Sequence, residues 1–125
     1  MDTSAVIELP TQGSDVEASA EYFISSITIA ELNAGIHTTG DPIERARRLA
    51  RLQWADAVDP LPYTRSTARL YGQPYAAVLA HGRNPRPRRI DLLVASVAAT
   101  HRFPLVTRNP KDFAGLAPLV TLVGL

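Results

Sequence analysis

DLLVASVAATHRFPLVTRNPKDF, residues 91–113, decides the architecture. The stretch from Asp91 to Thr100 is almost entirely apolar, which predicts a helix buried on most sides. Residues 104–107 predict a short strand, and 109–116 a turn with a short helix. A buried helix feeding a short apolar strand is the repeating unit of an α/β fold.

The rest of the chain continues the pattern. Residues 3–9 predict a short helix, stopped by Pro10 and the Gln12-Gly13-Ser14 loop. A short strand over 22–25 leads into a helix over 27–36, with Gly35 near its end. Asp41 as N-cap and Pro42 at the first helical position open another helix, running to about Trp54. Residues 57–61 predict a strand ended by Pro60 and Pro62. One long helix follows over 66–81, which Pro74 bends or shortens. The loop 82–87 is rich in arginine, and 119–123 predict a last strand. Strands alternating with helices imply a mainly parallel sheet. Sites in such sheets lie beyond the carboxyl ends of strands, where Ser25-Ser26 and Thr107-Arg108-Asn109 fall.

With 125 residues, 46% hydrophobic and 20% charged, the chain has the composition of one soluble domain, 1–125. The absence of cysteine excludes disulfides, thiolate zinc sites and cysteine nucleophiles. No apolar run approaches the roughly 20 residues of a membrane span. The start lacks a signal-peptide layout, so a cytoplasmic location is expected. His37, His81 and His101 show no zinc spacing. Ser25 and Ser26 lack a Gly-x-Ser-x-Gly elbow, and no glycine-rich phosphate loop is present.

Four acidic or amide-bearing sites stand at the edges of apolar segments: Asp2, Glu31, Asp91, and the pair Asn109 and Asp112. Carboxylates beside Val, Ile, Leu and Ala are costly to desolvate unless compensated. Brought together, these oxygens would suit Mg²⁺ or Mn²⁺. Each also has a plain structural alternative. Asp2-Thr3-Ser4 can cap a helix, and Thr28 to Glu31 matches a capping box. Asp91 suits a helix first turn, and Asn109 can cap a helix with Asp112 three residues on. Arg45, Arg47, Arg48 and Arg51 form one basic stretch; Arg83, Arg86, Arg88 and Arg89 form another, just before Asp91. A basic rim beside acids fits a phosphate-bearing substrate, with Arg86, Arg88 and Arg89 as candidate phosphate contacts. The alternative is pairing of these arginines with acids such as Asp56 or Asp59.

The ordered set resembles the PIN-domain ribonucleases, most closely the VapC-type toxins of bacterial type II toxin–antitoxin pairs. The residues that carry the resemblance are Asp2-Thr3-Ser4, the run from Ser25 to Leu32 with Gly35 after it, Asp91 to Ser96, and Thr107 to Phe113. They span nearly the whole chain. The resemblance implies a PIN-like three-layer α/β/α fold with a short, mainly parallel central sheet. It implies a Mg²⁺- or Mn²⁺-dependent endoribonuclease that hydrolyses RNA phosphodiester bonds with a metal-activated water, leaving 5′-phosphate and 3′-hydroxyl ends. It also implies a cognate antitoxin and a homodimer, for which the helix bearing Tyr71 and Tyr75 is a candidate surface. By position, Asp2, Glu31 and Asp91 look like the three acidic metal-site residues. Asp112 is favoured as a fourth carboxylate, and Asn109 as a neutral ligand or water-positioning group. Thr3 and Thr107 would supply hydroxyls that orient carboxylates.

One departure from the family is evident: only Met1 precedes Asp2, where relatives carry a short apolar strand. Two other readings compete with the nuclease. One is a non-catalytic interaction module that keeps the PIN fold. The other is a receiver-like acidic-pocket domain, for which Lys111, the only lysine, is poorly placed.

Overall fold

The computed structural model describes residues 3–7, 20–57 and 59–124. Four parallel strands form one sheet in the order β2-β1-β3-β4. They are β1 Thr3–Ile7, β2 Ala20–Ile24, β3 Leu105–Thr107 and β4 Leu122–Gly124. The helices are α1 Ser26–Ile36, α2 Pro42–Ala55, α3 Arg65–Leu70, α4 Gly72–Ala80 and α5 Arg89–His101. Two 3₁₀ segments, Arg86–Arg88 and Pro110–Leu116, flank α5 and β3 in the chain.

The main departure from expectation lies at the start. Residues 3–7 form a strand between β2 and β3, not the helix expected over 3–9. So short a segment makes a marginal helix, whereas pairing on both edges satisfies its backbone. The strand thought to be missing is therefore built from residues that follow Asp2. Asp2 itself, and the loop expected at 12–14, lie outside the described residues.

Successive residues of a strand face opposite sides, and the two faces of this sheet meet different apolar clusters. Val6 and Leu105, paired in register, join Val78, Leu92, Val94, Ala95, Ala98, Phe113 and Leu116 in the larger core. Ile24, next along from Phe23, instead meets Leu32 of α1 and Ala55 of α2. The expected three-layer arrangement follows from this division.

Local chemistry sets the helix starts. Ser25 accepts from the Thr28 N–H at 3.1 Å and so caps α1. The capping box expected from Thr28 to Glu31 is thus displaced by one turn, because β2 ends at Ile24 and Ser25 is the first residue free to cap. Asp41 accepts from the Ile43 N–H at 3.1 Å with Pro42 behind it, as expected. The long helix expected over 66–81 is two helices broken at Tyr71. Pro74 sits in the first turn of α4, where its missing N–H has no partner to lose. Tyr71 and Tyr75, with rings 6.0 Å apart, pack against the larger core and are half-buried, so each keeps part of its surface outward. The strand expected over 57–61 reduces to a single bridge between Ser25 and Leu61. Pro60 and Pro62 flank that bridge and carry no N–H to extend it.

Candidate active site

β2, β1 and β3 end on the same side because they are parallel. Ser25 follows β2 there, and Thr107 closes β3. α5 leads into β3 through a three-residue turn in which Arg102 adopts φ 56°. Running back along the sheet, α5 sets its N-terminal turn, with Asp91, at the carboxyl ends of the strands. α1 starts at that same end and packs against α5. The topology thus brings Asp91, Thr107, Asn109 and the first turns of α1 to one side.

The side chains there are mostly oxygen donors. Ser25, Thr28 and Thr107 are buried, and Asp91 is half-buried. The Ser25 and Thr28 hydroxyls lie 3.3 Å apart. Glu31 follows Thr28 by three residues, so the two are neighbours on the α1 surface, and Glu31 is exposed. Thr107 accepts from the Asn109 N–H at 3.1 Å, which fixes the turn beyond β3. Ser25 was expected at this end of the sheet but with no role in the site, and Thr28 was expected only as a capping residue. Their signal was the Ser-x-x-Thr-x-x-Glu spacing, which reads equally well as capping.

The backbone register sets Thr3 and Thr107, the two expected threonines, apart. Thr3 pairs with Ala20 at the amino end of the sheet, whereas Thr107 lies beyond Val106, the partner of Ile7. At about 3.3 Å per strand residue the two are roughly 15 Å apart along the sheet. Thr107 therefore belongs to this end and Thr3 does not.

The arginines sort into two kinds. Arg47 and Arg48 pair with Glu44, and Arg48 also donates to the Gly35 carbonyl and the Thr38 hydroxyl at 2.6 and 2.7 Å. These bonds tie α2 to the end of α1. Beside the site, Arg88 forms an ion pair with Asp112 at 3.2 Å, rather than with Asp56 or Asp59. Arg86 and Arg89 are exposed, with Arg89 donating to the Arg86 carbonyl at 3.2 Å.

The donor set suits a hard divalent cation in kind, since it consists of carboxylate, amide and hydroxyl oxygens. In number it is incomplete: among the described residues, no three His, Cys, Asp or Glu side chains gather closely enough to hold a metal. Asp2 lies outside that set. Also among the described residues, no helix is long and apolar enough to cross a membrane.

Comparison with known proteins places this arrangement among relatives. Residues 1–117 match the family model of the PIN domain. Ribonuclease VapC5 of Mycobacterium tuberculosis (strain ATCC 25618 / H37Rv) is 34% identical over 90 residues, covering 72% of this chain and 64% of that protein. The chain thus matches a little under two thirds of that relative's length. Ribonuclease VapC of Rickettsia bellii (strain RML369-C) is 29% identical over 131 aligned positions, covering 98% of this chain and 92% of the relative. Among solved structures, VapBC-5 of Mycobacterium tuberculosis, a member of the VapBC family of toxin–antitoxin systems, superimposes with a TM-score of 0.79. The two are 27% identical, with 98% of each chain covered.

Proposed function

Because the chain belongs to the PIN-domain family, we propose that it is a VapC-type toxin, an endoribonuclease held in check by a cognate antitoxin. Two relatives are ribonucleases by name, and one structural neighbour is a member of the VapBC family of toxin–antitoxin systems. The observation that supports the reading is that Asp91 stands in the first turn of α5 and Thr107 ends β3, with the Glu31-bearing helix α1 packed against α5. A non-catalytic interaction module would have no need for carboxylates at that end of the sheet.

Glu31 and Asp91 would hold Mg²⁺ or Mn²⁺ together with Asn109 or Asp112; Asp2 enters the ligand set on the family resemblance alone, since its neighbour Thr3 lies at the amino end of the sheet. A divalent ion bound there supplies Lewis-acid charge and an acidified water for attack on phosphorus. The chain's own contributions are distinct. The helix dipole of α5 stabilises Asp91 as a carboxylate. The bond from Asn109 to Thr107 holds the amide-bearing turn in place. Arg86 and Arg89, exposed just before Asp91, are placed to take flanking RNA phosphates. We further propose a cytoplasmic location and a homodimer.

The test is cleavage of labelled single-stranded RNA, with and without Mn²⁺, by wild type, Asp2→Asn, Glu31→Gln and Asp91→Asn. Asp2→Asn is the decisive arm, because Thr3 lies at the amino end of the sheet. Full cleavage by Asp2→Asn removes Asp2 from the ligand set, and full cleavage by all three variants ends the nuclease reading.

A further inference from the structure

Arg88 closes the 3₁₀ segment Arg86–Arg88 and stands at the N-cap of α5, three residues before Asp91. Its Nη1 meets a single residue on another segment twice: it donates to the Asp112 carbonyl at 2.9 Å and forms an ion pair with Asp112 Oδ1 at 3.2 Å. The Asp112 N–H donates to the Asn109 carbonyl at 2.9 Å, and the Asn109 N–H donates to the Thr107 hydroxyl at 3.1 Å. Arg83 adds a bond from its own Nη1 to the Lys111 carbonyl at 3.4 Å. A continuous chain of bonds therefore runs from the N-terminus of α5, through the 109–112 turn, to the carboxyl end of β3.

This connection bears on two residues whose roles were open. A carboxylate already paired with a guanidinium is a poor ligand for a hard cation, because the ion must approach a fixed positive charge. A guanidinium whose Nη1 donates to a backbone carbonyl and pairs with a carboxylate is likewise held in direction, and turning its whole planar fork onto a phosphate would break that anchorage. With relative exposures of 28% for Arg88 and 45% for Asp112, the pair is reached by solvent, so its value lies in geometry more than in stability.

We propose that Arg88 and Asp112 form a positioning clamp. Asp112 is not a metal ligand and Arg88 is not a phosphate contact; together they fix the turn that sets Asn109 at the same end of the sheet as Asp91. Asn109 is then the fourth polar group of the site. The role of Asn109 rests on the metal-dependent nuclease reading, whereas the clamp rests on the contacts alone.

Calorimetric titration of the full chain with Mn²⁺ separates the candidates without any RNA. Asp112→Asn should bind Mn²⁺ within about threefold of wild type, while Asp91→Asn should weaken binding at least about tenfold and Asn109→Ala several-fold. A loss in Asp112→Asn equal to that in Asp91→Asn overturns the assignment of Asp112. The clamp itself is read from the cycle of Arg88→Gln, Asp112→Asn and the double variant. In RNA cleavage each single change should lower kcat about tenfold, well short of the ~100-fold of a 1 Å misplacement, with KM unchanged. The double variant should be no slower than the slower single, and Arg88→Lys should recover most of the rate. In urea unfolding, which requires no activity, the pair should show coupling of about threefold in the unfolding constant. Multiplicative losses in kcat, absence of coupling in urea, or a flattened salt dependence of RNA binding in Arg88→Gln overturns the clamp. Unaltered Mn²⁺ binding by Asp91→Asn would instead defeat the metal-site reading and the role of Asn109, leaving the clamp to be decided in urea.

Discussion

The Thr100 and Thr67 hydroxyls lie 3.0 Å apart in a hydrogen bond that joins α5 to α3. Thr67 is fully buried and also lies 3.1 Å from the Thr64 hydroxyl that caps α3. The Thr100 hydroxyl also has the Ser96 carbonyl at 2.7 Å, so loss of Thr67 would leave it a partner. Thr67→Ala should destabilise the fold by about 0.5–1.5 kcal/mol, the net worth of a typical hydrogen bond, since it strands no buried polar group. Urea unfolding monitored by circular dichroism checks this, and a change below a few tenths of a kcal/mol would show the bond to be dispensable.

Asp91→Asn keeps shape and removes charge. Changing residues that merely orient metal ligands typically costs 10–100-fold, so losing a ligand should lower RNA cleavage by about 100-fold or more. The unfolding midpoint should hardly move, and EDTA should silence the wild type to the same level. Cleavage near wild-type rates in metal-defined buffer would count decisively against the site.

Arg86 and Arg89 should answer to salt. If each holds one phosphate of single-stranded RNA, each replacement by Ala lowers the log–log salt slope by about 0.7. Binding titrations at several salt concentrations, run for the single variants and the double, give the slope directly. An unchanged slope in the double variant means that this loop does not touch the RNA backbone.

Two glycines should respond in opposite directions. A Cβ on Gly115 would lie 3.2 Å from both the Ala77 carbonyl oxygen and the His81 Cβ, where α4 meets the 110–116 segment. Gly115→Ala should therefore destabilise by about 1–3 kcal/mol through overpacking. Gly35, inside α1, has nothing within 4 Å of such an atom. Gly35→Ala should be neutral or stabilise by up to about 1 kcal/mol through helix propensity. Thermal melts of the two variants side by side decide it.

Much of this architecture was legible in the residues, and the exceptions share a cause. α2, α5 and β3 announce themselves through caps and apolar patterning that act locally. β1 does not, since Thr3-Ser4-Ala5-Val6-Ile7 resembles a capped helix start, and only pairing with Phe23 on one side and Leu105 on the other makes it a strand. Ser25 and Thr28 were indistinguishable as caps until the end of β2 was fixed. At the site, Asp91 and Thr107 could be placed from segment order alone. The partner of Asp112 could not, because Arg88 is distant in sequence and three neighbouring arginines are chemically equivalent to it.

The central position of β1 governs when this protein can come into being. The strand at the start of the chain pairs with β3, about a hundred residues later, and β4 lies later still. During synthesis β1 leaves the ribosome about a hundred residues before the partner on its second edge. Contacts of such long sequence separation close late and slowly. Until then β1 has one open edge and Thr107 has no strand to end, so Asp91 and Asn109 share no common frame. A prematurely terminated fragment lacks the assembled site, and its exposed strand edge invites aggregation.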